Sequence, residues 1–258
     1  MSAYKYKISV VMPGLNEQEN IQSAVKNAAD CFEALKISGQ VVVVNDGSTD
    51  RTGEIAESLS EKYPFLKVIH HKSPQGIGAS FWDGMKESDG EIAVMLPGDG
   101  ENDAHEILRY LPLMEDADVV VPFIYNKSVR SLSRRILSSM YRGIINISFG
   151  MTLNYMNGTV MYRKCVFNNI TLKCRGFFYQ TELLIKCIRN RYLYAEVPCA
   201  LSQRGKGASK ATTFKSLKRV MRDYISTFIE VYVNDRGRKP ISPDSVTALR
   251  WKQVEEVD

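Results

Sequence analysis

The sequence lacks the features that define several large classes of proteins. Its five cysteines include no Cys-x-x-Cys pair, so a zinc site or a disulfide framework is not expected, and reduced thiols are. No uninterrupted apolar run approaches the roughly 20 residues that a membrane-spanning helix needs. The net charge of +5 is too small to predict nucleic-acid binding without a concentrated basic patch. A folded enzyme is the class that these absences leave open.

Apolar segments with strand and helix periodicity alternate through the first half of the chain. The predicted strands are residues 8–12, 41–44, 67–70, 92–96 and 119–122, and amphipathic helical patterns separate most of them. Asn16 and Glu19 have the spacing of a capping box and predict that the first helix begins there. Asp50 is expected to cap the second helix, and Asp103 a later one. The alternation predicts an α/β fold: a single domain with a Rossmann-like, mostly parallel sheet flanked by helices.

The rhythm changes in the second half, which divides the chain into three predicted regions. Residues 1–125 form the first predicted half, and residues 126–235 form a second half with basic amphipathic helices. In the second of these, a strand is predicted at 155–162, a helix at 180–188 and a strand at 194–197. Residues 236–258 are polar and predicted to be a loosely held tail.

Polar residues follow three of the predicted strands at the point where each strand ends. Residues 13–17 follow the first strand, 45–47 the second and 97–101 the fourth. Because parallel strands place their carboxyl ends at one edge of a sheet, these segments are expected to converge. Asp99 and Glu101 flank a turn that contains Gly98 and Gly100. Their carboxylates suit Mg2+ or Mn2+ bridging a diphosphate.

Five strings in this order resemble a known family. They are ISVVMPGLNEQENI, VVVVNDGSTDRT, QGIGASFWDGM, MLPGDGEND and RGKGASK, and they extend with their surroundings from Ile8 to about Arg222. Together they are similar to family 2 glycosyltransferases of the GT-A fold, and most of all to dolichol- or polyprenol-phosphate sugar synthases. Each string alone is a weak signal, whereas the set in order is specific.

The resemblance implies roles for individual residues of the donor site. Pro13, Asn16 and Glu17 match the strand end that lies against the nucleoside, and Asp46 matches the acid that reads the base or ribose. Asp99 matches the second acid of the D-x-D motif, which holds the metal. The donor-binding set also includes Gly98 and Ser209, and Glu101, at a place where close relatives often have Gln, is expected to be a second metal ligand. The same resemblance makes residues 1–125 the nucleotide-binding half and residues 126–235 the acceptor-side half.

Two further features of the resemblance concern catalysis. Arg204, Ser209 and Lys210 match a basic motif that closes over the diphosphate, where two cations would stabilise the leaving group. Pro97 stands where the family has the first acid of D-x-D, and proline cannot bind a metal. The metal site therefore either has fewer protein ligands than usual or is held by Asp99, Glu101, ligand oxygens and water. A nucleotide-sugar binder without catalysis is the non-enzymatic alternative.

The acceptor determines the remaining chemistry. A polyprenyl or dolichyl phosphate is already anionic and could attack the anomeric carbon without a general base. A hydroxyl acceptor on a saccharide or lipid would need a base, and Glu182 is the candidate. A structural role for Glu182 as an acid at the start of a helix, held by a neighbouring arginine, is the competing interpretation.

The segment around residues 130–145 indicates where such an acceptor would be met. Its arginines lie among Leu132, Ile136, Met140 and other apolar residues at helical spacing. The pattern fits either a helix on an anionic membrane or a helix packed on the sheet. With no apolar core in Met1–Lys7 to predict a secretory signal, we expect a cytoplasmic protein at the cytoplasmic face of a membrane. A membrane protein or a second copy of the chain is an open partner.

Overall fold

A computed structural model describes residues 4–126, 131–200, 214–234 and 240–255. The side chains of residues 214, 215 and 234 are outside that description. The chain divides into two units. The first contains Met1–Leu111 and Thr159–Lys164, and the second contains Pro112–Gly158 and Cys165–Asp258.

The described residues form seven strands and eight α-helices. The strands are β1 Tyr6–Gly14, β2 Gly39–Asn45, β3 Leu66–His70, β4 Gly90–Met95, β5 Val119–Ile124, β6 Met161–Arg163 and β7 Tyr194–Cys199. The helices are α1 Ile21–Leu35, α2 Thr52–Lys62, α3 Ile77–Lys86, α4 Ala104–Leu108, α5 Leu132–Phe149, α6 Tyr179–Arg189, α7 Phe214–Ile229 and α8 Val246–Glu255. Within the described part of the chain, no helix combines the length and the apolarity needed to cross a bilayer.

The first unit contains a five-stranded sheet in the order β3-β2-β1-β4-β6. β1 pairs in parallel with β2 and β4, β2 pairs in parallel with β3, and β6 runs antiparallel to β4. The run Val41–Val44 is completely buried, as expected for a central strand covered on both faces. Gly84 lets α3 lie close to this sheet, because a Cβ there would come within 2.5 Å of Val11 Cγ1 and 2.9 Å of Val44 Cγ2.

The second unit contains the parallel pair β5 and β7 together with α5 to α8. α6 is buried along most of its length, and α5 and α7 meet through Phe149, whose ring lies 6.0 Å from that of Tyr224 and 5.9 Å from that of Phe228. The buried Asp118 accepts hydrogen bonds from the N–H groups of Val246 and Thr247 at 2.9 and 3.0 Å. That carboxylate therefore anchors the first turn of α8.

The predicted fold class is confirmed: the protein is α/β, with a mostly parallel sheet and helices. All five strands predicted in the first half are present, within two residues at most of their ends. The strand predicted at 155–162 is wrong for most of its length, because β6 covers only Met161–Arg163. The loosely held tail is also wrong for residues 240–255, since α8 is attached through Asp118. The boundaries at residues 125 and 235 stay predictions.

Candidate functional site at the strand ends of the first unit

The loops that follow β1 and β2 are fastened to each other by the side chain and backbone of Asn16. Its amide oxygen accepts a hydrogen bond from the N–H of Thr49 at 2.9 Å, and its own N–H donates to Ser48 Oγ at 3.0 Å. Asn16 adopts a left-handed conformation with φ 58°, which asparagine tolerates better than most residues. The predicted capping box is wrong: α1 begins at Ile21, and Asn16 instead joins two loops.

Glu17 and Asp50 strengthen the same junction. The N–H of Glu17 donates to Thr52 Oγ1 at 2.8 Å, and its carboxylate accepts from Asn20 Nδ2 at 2.8 Å. Asp50 accepts from the N–H of Thr52 at 3.0 Å, at the start of α2, and from the N–H of Gln18 at 3.2 Å. Asp50 therefore binds the first N–H of α2, although Arg51 and not Asp50 is the N-cap residue, and it also holds the loop after β1.

Asp46 is buried, with 5% of its surface exposed, and both of its carboxylate oxygens have partners. Oδ1 accepts from the N–H of Gln75 at 2.7 Å and lies 2.8 Å from His71 Nδ1, while Oδ2 accepts from the N–H of Gly76 at 2.9 Å. These contacts fix the segment that leads into α3. The role of Asp46 in reading a base or ribose stays a prediction.

The backbone brings the third loop to this edge. The N–H of Gly98 donates to the Pro13 carbonyl at 2.9 Å, just as the N–H of Asp46 donates to the Gly14 carbonyl at 2.9 Å. A Cβ on Gly98 would lie 2.7 Å from Ile21 Cδ1, so glycine permits this close approach. The ends of β1, β2 and β4 therefore meet as the sequence predicted.

Asp99 and Glu101 lie on the turn after β4 and are both partly exposed. Asp99 Oδ1 accepts from the N–H of Glu101 at 3.1 Å, and Gly100 between them has φ 70°, a left-handed conformation that glycine adopts without strain. This geometry holds the two carboxylates on one short turn. Asp103 then begins α4 by accepting from the N–H of His105 at 3.0 Å, which confirms its predicted capping role.

The donor set on this turn fits a metal ion that is shared with a ligand. In the described part of the chain, no group of three His, Cys, Asp or Glu side chains is placed to hold a metal ion. Mg2+, however, commonly binds one or two carboxylates and takes its other oxygens from phosphates and water. Asp99 and Glu101 supply that minimum, and Pro97 accounts for the missing third carboxylate.

The structure describes only some of the other predicted site residues. Arg204, Ser209 and Lys210 fall within residues 201–213, outside the described residues. Glu182 belongs to the second unit and has no exposed surface. Its oxygens accept from the N–H groups of Lys173 and Cys174, at 3.0 and 2.7 Å, and it forms an ion pair of 2.6 Å with Lys186.

These contacts favour the structural interpretation of Glu182 over that of a general base. Because Glu182 has no exposed surface and both of its oxygens already accept hydrogen bonds, an acceptor hydroxyl has no access to it. The ion-pair partner is Lys186, one helical turn along α6, rather than the arginine that was expected, and it also pairs with Glu230 at 3.0 Å. The contact between Lys186 and Glu230 could not be predicted from the sequence, because Glu230 lies far along the chain.

The contact between His71 and Asp46 was missed as well. His71 is a strand-end residue, as the sequence indicates, but its ring also approaches Asp83 Oδ2 at 3.5 Å. No spacing in the sequence signals either contact, since Asp46, His71 and Asp83 come from three different segments. The histidine thus fills the space between the loop after β2 and the outer side of α3.

The family model described as "Glycosyl transferase family 2" matches residues 9–186, more than half of the chain. A dolichol-phosphate mannosyltransferase from Pyrococcus furiosus is 28% identical over 227 residues, which are 84% of this chain and 63% of the relative. A cholesterol galactosyltransferase from Borreliella burgdorferi is 32% identical over 124 residues, 47% of this chain and 34% of that protein. The chain spans less than two thirds of the length of these relatives.

Solved structures show the same fold. Glucosyl-3-phosphoglycerate synthase from Mycobacterium tuberculosis, crystallised with Mn2+ and UDP-glucose, superposes with a TM-score of 0.61 at 20% identity, over 88% of this chain and 79% of the other. A crystal form of that enzyme with Mg2+ and UDP gives a TM-score of 0.60 at 20% identity with the same coverage. The predicted GT-A fold is thereby confirmed. The family match over residues 9–186 establishes that the chain belongs to glycosyl transferase family 2.

Proposed function

We propose that the protein is an inverting glycosyltransferase that moves a sugar from a UDP- or GDP-sugar to a polyprenyl or dolichyl phosphate at a membrane surface. Family membership supports sugar transfer, and the similarity to a dolichol-phosphate mannosyltransferase supports the lipid phosphate. The solved neighbour bound to UDP-glucose supports a nucleotide-sugar donor.

The observation that carries the proposal is the junction of three loops at one sheet edge. Bonds of 2.9 Å join Asp46 N to Gly14 O and Gly98 N to Pro13 O. Ligands of open α/β sheets bind outside the carboxyl ends of the strands, which is where this junction lies. In this proposal Pro13, Asn16, Glu17, Asp46 and Gly98 surround the nucleoside.

The diphosphate would be met by Asp99 and Glu101 from one side. Through these two carboxylates the protein would hold Mg2+ or Mn2+, which supplies charge neutralisation on the diphosphate when bound. Arg204, Ser209 and Lys210 would contact the diphosphate from the segment 201–213. Two cationic side chains placed there stabilise the negative charge that develops on the leaving group.

The transfer itself is a single displacement. An oxygen of the acceptor phosphate forms a bond to the anomeric carbon while the bond to the nucleoside diphosphate breaks, and its electron pair leaves with the diphosphate. Attack from the opposite side inverts the anomeric centre. Because the acceptor phosphate is already ionised near neutral pH, no general base is needed, and the buried state of Glu182 fits this requirement.

A donor and acceptor screen tests the proposal. The full chain is incubated with UDP- and GDP-sugars, with Mg2+ or Mn2+, and with short polyprenyl phosphates, and the lipid product is followed. Formation of a glycosyl phosphate lipid is the expected result. Transfer to a saccharide or lipid hydroxyl instead would support the alternative acceptor, and donor binding without transfer or hydrolysis at any metal concentration would support a non-catalytic binder. Either of the last two outcomes overturns the proposal.

A further inference from the structure

Two helices of the second unit expose large apolar side chains in unusual number. On α5 the exposed fractions reach 67% at Leu132, 59% at Met140 and 86% at Ile147. The exposed apolar residues of α5 are Leu132, Ile136, Leu137, Met140, Ile144 and Ile147, and those on α7 are Leu217, Met221, Ile225, Phe228 and Ile229. Apolar side chains that recur on one helical face in this way mark an interaction surface rather than a solvated one.

These faces are open although the helices themselves are well packed. The Phe149 ring of α5 contacts Tyr224 and Phe228 of α7 and stacks on Tyr232 at 6.1 Å. Ser148 Oγ and the Tyr224 hydroxyl are 2.8 Å apart. The two helices therefore pack against each other through one side and leave other apolar residues uncovered.

The charge on both helices has one sign where it is exposed. α5 contains arginines and no acidic residue, and the only acidic residue of α7 is Asp223, which is 8% exposed. Lys218, Arg219 and Arg222 are exposed on α7, as are Arg134 and Arg135 on α5. The exposed charged residues of each helix are thus all cations.

A shallow groove on α7 is lined by both apolar and cationic side chains. It has a volume of about 470 Å³ and is lined by Leu217, Met221 and Ile225 together with Lys218 and Arg222. The three apolar residues are spaced four apart and form one stripe, and the two cations are spaced in the same way beside it. A molecule with an apolar chain and an anionic head would match both.

Charge complementarity decides between the occupants of these faces. A second copy of the chain would bring cations against cations, and like charges across an interface are unfavourable. An anionic bilayer offers phosphate groups to the lysines and arginines and an apolar layer to the stripe. Long cationic side chains lie along apolar surface while their charged ends reach the headgroups.

We propose that the open faces of α5 and α7 form a docking surface for an anionic lipid bilayer. The apolar side chains enter the boundary between headgroups and acyl chains, and the cations contact lipid phosphates. The purpose of this surface rests on the proposed function, to which it adds the membrane partner and the residues that bind it. The bound helices would keep the protein where a lipid phosphate is presented.

Vesicle sedimentation tests the surface without any sugar donor or polyprenyl acceptor. The full chain is mixed with vesicles of phosphatidylglycerol and phosphatidylcholine, or of phosphatidylcholine alone, and the bound fraction is measured. We expect binding to the anionic vesicles that weakens as salt is added. Equal binding to both kinds of vesicle, or binding to neither, overturns the proposal.

Paired variants assign the binding to each helix. We expect the double variants Ile136→Gln/Met140→Gln on α5 and Met221→Gln/Ile225→Gln on α7 each to weaken binding by roughly tenfold or more, since each removes two apolar side chains from the lipid. Replacing Lys218 or Arg222 by glutamine should cost roughly fivefold per cation. The matched control is Val254→Gln on α8, a 63% exposed apolar residue outside both helices.

The control and the oligomeric state complete the test. Val254→Gln should bind as the unmodified chain does, and the thermal transition of every variant should be unchanged because the replaced side chains are exposed. Loss of binding in the control, or no loss in either double variant, overturns the proposal. So does a dimer in size-exclusion chromatography that the α5 or α7 variant dissociates. Failure of the donor and acceptor screen, with vesicle binding intact, would refute only the proposed function.

Discussion

Asp99 in the first unit and Glu182 in the second unit are both acids that were predicted to act in catalysis, yet their surroundings are opposite. Asp99 is partly exposed on a glycine turn and accepts one N–H from Glu101. Glu182 has no exposed surface and binds two backbone N–H groups and Lys186. For this pair of acids the difference is burial rather than residue type: a metal ion could reach Asp99, whereas an acceptor hydroxyl could not reach Glu182.

The strongest test of this comparison is Glu182→Gln. The amide removes the negative charge that Lys186 and two N–H groups bind, so a buried charge loses a partner. Breaking a buried ion pair in this way costs about 3–5 kcal/mol. We expect thermal or urea unfolding to show a loss near this range, reduced where Glu230 still pairs with Lys186.

Glu54→Gln is the matched control for that variant. Glu54 pairs with Arg51 at 3.1 Å, but both side chains are more than 70% exposed, and such surface pairs contribute about 0–1 kcal/mol. Stability close to that of the unmodified chain is expected. If Glu182→Gln instead kept its stability and its donor affinity while losing turnover, the general-base interpretation would replace the structural one.

Asp99→Asn tests the other side of the comparison. Among the described residues its carboxylate has a single backbone partner, the N–H of Glu101, so we expect stability to change little. Loss of one charge-stabilising group in an active site typically lowers turnover by about 10²–10³-fold. Metal-dependent donor binding, followed by calorimetry with and without Mg2+, should weaken in parallel.

Asp103→Asn controls for a nearby acid. Asp103 accepts from the N–H of His105 and from Asn27 Nδ2, and asparagine is an equally good helix cap. Turnover and metal dependence should stay as in the unmodified chain. If Asp99→Asn left metal-dependent donor binding unchanged, Asp99 would not be a metal ligand. The functional contrast between Asp99 and Glu182 would then not hold.

The sequence predicted the features of the first unit that depend on local pattern. Apolar runs marked the strands, and the parallel arrangement placed residues 13–17, 45–47 and 97–101 at one edge. Asn16 shows the limit of this reasoning. Its spacing to Glu19 matched a cap, but its side chain binds Thr49, 33 residues away, because a left-handed backbone turns it towards the neighbouring loop.

The second unit was less predictable because its polar contacts join distant segments. Asp118 caps α8 across 128 residues, and no local signal identifies the two ends. The partner Lys186 follows Glu182 by one helical turn and could be found in the sequence, whereas Glu230 could not. Burial, which decides the role of Glu182, results from packing of the whole unit rather than from the residues beside it.

The two units should also differ slightly in how their stability depends on pH. Burial raises the pKa of Asp50, but hydrogen bonds from Thr52 and Gln18 outweigh it and hold that pKa below its ordinary value. Asp50 therefore stabilises the fold above its ordinary pKa, and this contribution is lost as the pH falls through the lowered value. We expect Asp50→Asn to cost at most about 1 kcal/mol near neutral pH, and nothing in strong acid.

Asp223 in the second unit should respond with the opposite sign. Its pKa is raised by burial, against the lowering effect of its hydrogen bond with Arg222. A raised pKa means that the ionised form is disfavoured in the fold, so stability increases as the pH falls through that value. Asp223→Asn is thus expected to keep or increase stability near neutral pH, where Asp50→Asn decreases it. Urea unfolding of both variants across the acid range measures how the free-energy difference from the unmodified chain changes with pH. If this difference changed with pH in the same direction for both variants, the opposite effects assigned to burial at Asp223 and hydrogen bonding at Asp50 would be wrong.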